Sequence, residues 1–133
     1  MKKIYLIILS MNFQTCLAAT PEEVLKSMQK ATMVVLADYK TGGTSALVGE
    51  VQDCYRRVPA QNFYCIYLDL AARHVVQIQP EKNLTPNASY FRDEIASNRV
   101  NNTLSEEKMD AEEAERYVNM VTSLINKIVD SSI

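Results

Sequence analysis

The chain has 133 residues, 23% of them charged and 47% hydrophobic, with 14 Lys and Arg against 16 Asp and Glu. That length holds one domain, and the acidic balance argues against nucleic acid or an anionic membrane surface as partner. Three glycines and no tryptophan supply too few turn residues for a sheet-rich domain, so composition favours helices.

Residues 1–19 read as a secretory signal peptide. Lys2 and Lys3 give a positive start, Ile4 to Phe13 an apolar run interrupted by Ser10 and Asn12, and Leu17-Ala18-Ala19 a small-residue site for cleavage near Ala18 or Ala19. The run is too short for a permanent anchor, and no later segment approaches the ~18 consecutive apolar residues of a spanning helix. The expectation is a single helical domain, residues 20–133, exported to the periplasm or secreted, with no stable membrane insertion. From Thr20 onward it carries 12 Lys and Arg against 16 Asp and Glu, a net charge of −4. Cys16 leaves with the signal. Lipidation at Cys16 is the weaker reading, because Phe13-Gln14-Thr15 lacks the Leu-small-small pattern of lipoprotein processing. Asn-X-Ser/Thr triplets at Asn83, Asn87 and Asn101 are incidental if the Met-Lys-Lys start is bacterial.

Thr20-Pro21-Glu22-Glu23 is a helix start: a capping hydroxyl, a proline tolerated in the first turn, and acids at the positive end of the dipole. Val24, Leu25, Met28, Thr32, Val35, Leu36 and Tyr39 follow at helical spacing, so a first helix is expected over 21–39, ended by Gly42-Gly43. A second runs from Thr44 or Ser45 to Arg57, stopped by Pro59. A third resumes near Ala60 to Asn62, while His74 to Gln79 reads equally as helix or short strand. Residues 80–88 form a loop. A fourth helix is expected over 87–99, broken by Asn101-Asn102-Thr103. A fifth, from Ser105 or Asp110 to Val129, repeats Ala114, Tyr117, Val118, Val121, Leu124, Ile125 and Ile128 at three and four. The expected fold is all-α: a compact bundle of about five helices with one disulfide-stapled helical hairpin.

The staple is Cys54–Cys65. In one unbroken helix the two would stand about 16 Å apart, beyond the ~7 Å a disulfide tolerates. Pro59 lies between them, and folding the chain there brings them face to face. A redox role is the poorer reading, since the mature chain holds no Cys-X-X-Cys.

Catalytic constellations are hard to assemble. His74 is the single histidine, too few for a typical zinc site and without a nucleophile beside it. Asp53 and Asp69 are the carboxylates to examine for glycosidase-type acid–base work, but each neighbours arginines, and surface ion pairing is the plainer expectation. No catalytic residue, metal ligand or cofactor is assigned. Two surfaces suit partner binding. One surrounds the hairpin tip, where Arg56, Arg57 and Tyr64 are the exposed candidates and the side-chain types of interface hot spots. The other is the acidic start of the fifth helix, Glu106, Glu107, Asp110, Glu112 and Glu113, which either complements the helix dipole or docks on a basic partner.

The expected function is that of a small exported, non-enzymatic protein of inhibitor or immunity type, binding a protein partner in the cell envelope. A homodimer through an apolar helix face is compatible with the sequence. The alternative is a periplasmic carrier enclosing a lipid or other apolar ligand, with Met28, Met33, Met109 and Met120 lining the cavity. A small carboxylate-dependent hydrolase is the third reading.

Overall fold

Thr20 begins the first helix with a reciprocal cap: its hydroxyl accepts from the Glu23 backbone N–H at 3.1 Å, and the Glu23 carboxylate accepts from the Thr20 N–H at 2.9 Å. The computed structural model describes residues 20–57, 62–79 and 86–133. The expected signal peptide, the expected break at Pro59 and most of the expected 80–88 loop lie outside the described residues. Among those described there are four α-helices and no strand: α1 (Pro21–Tyr55), α2 (Asn62–Ile78), α3 (Asp93–Glu106) and α4 (Ala111–Ser132), with a 3₁₀ helix at Pro86–Phe91 before α3.

The all-α class holds, but the count of five helices is one too many. The two helices expected over 21–57 join into one helical stretch, Pro21–Tyr55, interrupted only at Gly43 (φ 64°, ψ −157°), where the expected Gly42-Gly43 break falls, in a conformation essentially reserved for glycine. That one residue reverses the chain. The Asp38 charge acts on Glu50 and raises its pKa, whereas a straight helix would hold the two about 18 Å apart. The reversal is tight enough that a Cβ on Gly42 would lie 2.6 Å from that of Ala46. The first arm of α1 (21–42) and its second arm (44–55) therefore fold back on each other.

The remaining helices alternate in direction around α2. The Cys54–Cys65 disulfide, with Cα atoms 5.5 Å apart, ties the end of α1 to the start of α2. At the other end, the Tyr39 hydroxyl donates to the Gln79 carbonyl at 2.7 Å, capping α2. This resolves His74 to Gln79 as helix through Ile78 rather than strand. Asn62 bonds Glu107 and Gln77 bonds Asp93, so α3 runs antiparallel to α2. Tyr67 meets Tyr117 and His74 meets Asp130, so α4 runs parallel to it.

Helix α2 is the centre of the molecule. Cys65 through Ala72 are all buried, as is Val75, and a helix buried on every side must be covered by neighbours on every side. Met28, Val35, Leu47 and Val51 of α1, Phe91, Val100 and Leu104, and Val121, Ile125 and Val129 of α4 supply that cover. The Asn101-Asn102-Thr103 cluster does not end α3. Asn101 and Asn102 face solvent, while Val100, Thr103 and Leu104 are buried and the Thr103 hydroxyl donates to the Arg99 carbonyl at 2.9 Å, so the helix continues to Glu106. It stops at Lys108, which takes a left-handed conformation (φ 69°). There Lys108 N–H donates to Ser105 and Met109 N–H to Leu104, the paired bonds of a Schellman turn. Asp110 then caps α4, reciprocally with Glu113.

Candidate functional site

The disulfide holds the end of α1 against α2, and this fixes Tyr55 over the one acid in the buried run of α2. Asp69 has no exposed surface, so its charge must be met inside the protein. Arg99, from α3, meets it with two bonds: Nε to Oδ2 at 2.9 Å and Nη2 to Oδ1 at 2.7 Å. The Tyr55 hydroxyl donates to Oδ2 at 2.9 Å. Arg99 Nη1 donates to the Tyr90 carbonyl at 2.9 Å, and its guanidinium lies 3.7 Å from the centroid of the Tyr90 ring. The Asp69–Arg99 pair thus joins α1, α2, the 3₁₀ helix and α3.

The electrostatics of the node follow from its burial. Burial pushes the Asp69 carboxyl up, opposed by the hydrogen bonds and charge of Arg99 and by the Tyr55 hydroxyl. Tyr55 is driven far above the ordinary phenol range by burial and then by the Asp69 charge. Burial disfavours charge on Arg99, but its bonds to Asp69 and the Asp69 charge more than offset this, and its pKa rises.

Above this node lies an open cleft of about 460 Å³. Tyr55, Tyr90, Arg99 and Thr103 line it, with Asn62 held on one wall by its bond to Glu107. Gln52, Arg56, Asn102 and Glu106 complete it from exposed positions. A guanidinium carries five N–H groups. Three of those on Arg99 are used by Asp69 and Tyr90, which leaves two with no partner among the described residues on a side chain that lines the cleft. A second hollow, of about 530 Å³, lies between α2, α3 and α4. Leu70, Val100 and Val118 line it together with Arg73, Asn101 and Glu115.

The candidates from the sequence divide between several places. Arg56 and Glu106, expected on separate surfaces, both line the cleft, and Glu107 braces its wall through Asn62. Tyr64 and Arg57 share a different environment near Glu50 and Asp38. Tyr64 is half-buried rather than exposed, with the Lys30 ammonium 5.5 Å from its ring centroid. Asp110 and Glu113 cap α4, and Glu112 faces Arg116 at 3.6 Å. Asp53 does form a surface pair, with Arg56 at 2.9 Å. Asp69 does not: its partner is Arg99, thirty positions along the chain, and the pair is buried because α2 lies at the centre.

Arg99 and Tyr90 are the site residues the sequence reading missed. One signal pointed to them: a lone carboxylate within Cys65–Ala72, an otherwise apolar stretch apart from Tyr67, requires a cation from elsewhere. Among the described residues no cluster of three or more His, Cys, Asp or Glu could hold a metal ion, and no helix is long and apolar enough to cross a membrane. No family model matches the chain, and comparison with curated proteins and with solved structures finds no match.

Proposed function

We propose that this is an exported, non-enzymatic protein that acts by binding another protein, in the manner of an inhibitor or immunity protein. The observation that carries the reading is the cleft beside the disulfide. It presents Tyr and Arg side chains, the types that dominate interface hot spots, on a frame fixed before any partner arrives. The Cys54–Cys65 bond holds one wall and the Asp69 ion pair the floor. Prior fixation lowers the ordering cost of association. The signal-like residues 1–19 and a disulfide-bonded domain are consistent with work outside the cytoplasm.

The other readings draw less support. A carrier needs its methionines around one cavity, yet Met28 is in the core while Met33 and Met120 are 72% and 54% exposed. A carboxylate hydrolase needs two available acids, and Asp69 already has both oxygens committed. The test is a crosslinking pull-down of the tagged mature protein from cells that make it, with bound material identified by mass spectrometry. One stoichiometric protein partner is expected. Recovery of the protein alone, or with a co-purifying lipid, would replace this reading by self-assembly or by the carrier.

A further inference from the structure

We propose that the partner docks at the Arg99 cleft through a loop that sets an uncharged oxygen, from its backbone or an amide side chain, on Arg99 and a lysine or arginine against Glu106. This rests on the protein-binding reading and gives it a site and a chemistry.

The shape comes first. A small-molecule site encloses about 70–90% of its ligand, and this cleft is largely open to solvent. It receives a protrusion from something larger. The fixed groups then choose what protrudes. Arg99 is locked by Asp69 and Tyr90, and its two unassigned N–H groups make the floor a donor. The entering group must therefore accept. A carboxylate is the poorer acceptor, because Asp69 already balances the Arg99 charge and Glu106 stands in the wall. A neutral oxygen gains the hydrogen bonds without meeting that repulsion. Phosphate-bearing partners are disfavoured on the same ground.

The rim adds sign. Arg56 is paired with Asp53, whereas no ion pair engages Glu106 among the described residues, and Glu107 lies directly beside it. A cation on the incoming loop is the complement of these two acids, and the net charge of −4 from Thr20 onward assists the encounter with a basic surface.

The test places a photo-crosslinking benzoylphenylalanine in the full chain, at Asn102 on the exposed rim or at Thr41, exposed at the opposite, Gly43 end of the bundle. A Glu106→Lys variant is measured against the captured partner in parallel. The expected result is one protein adduct from position 102 and none from position 41, with the crosslinked peptide containing Lys or Arg. Glu106→Lys should weaken the complex about tenfold or more, as a like-charge contact imposes, with an unchanged melting curve because Glu106 is exposed. A protein adduct from position 41 but not 102, a glycan adduct at 102, or unchanged affinity of Glu106→Lys overturns the cleft assignment and leaves the protein-binding reading standing. No protein captured from either position or in the pull-down removes that reading, and this inference with it.

Discussion

Removing one half of the Asp69–Arg99 pair leaves a buried charge with no counter-ion, and that is far costlier than never having had the pair. Arg99→Ala should destabilise the protein by about 3–5 kcal/mol, read from its urea midpoint. Replacing all three members, Asp69→Leu with Arg99→Met and Tyr55→Phe, removes the stranded charge and the stranded hydroxyl together. That variant should recover most of the loss; a triple variant as unstable as Arg99→Ala would mean the node acts through packing rather than charge. Glu50 presents the opposite case, a carboxylate held among acids. Burial, and then the neighbouring Asp38 charge, raise its pKa above the ordinary 4.5, with Arg57 opposing. A carboxyl raised in the folded state binds its proton more tightly there than in the unfolded chain, so stability falls as pH climbs from the ordinary value through the raised one. Glu50→Gln keeps a donor for Asp38 and removes the charge. It should raise the urea midpoint at pH 7, with the gain vanishing below the ordinary carboxylate range.

Helix boundaries were legible where local chemistry sets them and obscure where packing does. The Thr20 cap, the glycine turn at 42–43 and the Asp110 start of α4 all follow from side chains within four residues of the boundary. The stop expected at Asn101-Asn102-Thr103 was misplaced because polar residues on an exposed face do not end a helix whose other face is buried by Val100 and Leu104. The true stop uses a lysine in the left-handed region, a position that composition points to glycine for and so conceals. That lysine is strained: the left-handed conformation costs an L-residue about 1–2 kcal/mol, part of which is returned when glycine loosens the unfolded chain. Lys108→Gly should therefore stabilise the protein by about 0.5–1 kcal/mol. A calorimetric melting temperature that fails to rise would show that the lysine side chain contributes enough at the turn to offset its backbone strain. The node escaped for a related reason. Periodicity identifies which face of α2 is apolar, but nothing local links Asp69 to a cation thirty residues away; only the antiparallel register of α2 and α3 does.

At the scale of the whole molecule, every element depends on α2, and the Cys65–Ala72 run of α2 has no free face of its own on which to survive. The first arm of α1 and helix α4 flank it in parallel, the second arm and α3 in antiparallel, and the Asp69 node ties α1, α2 and α3 across its middle. Loss of any neighbour exposes part of the continuous Cys65–Ala72 run, so unfolding should be a single cooperative transition in which helical ellipticity and tyrosine fluorescence coincide. The disulfide alters the height of that transition and not its nature. It closes a short loop in the unfolded chain, worth about 3 kcal/mol in the chain-entropy account. It also joins two helices that Leu47, Val51, Ile66 and Leu70 keep within one core without it. Replacing both cysteines by serine should lower the melting temperature by roughly 10 °C while leaving the helical signal at low temperature unchanged. Two separated transitions in that variant would mean that the second arm of α1 is held to α2 by the disulfide alone, and that the cleft wall it carries is fixed only when the bond is made.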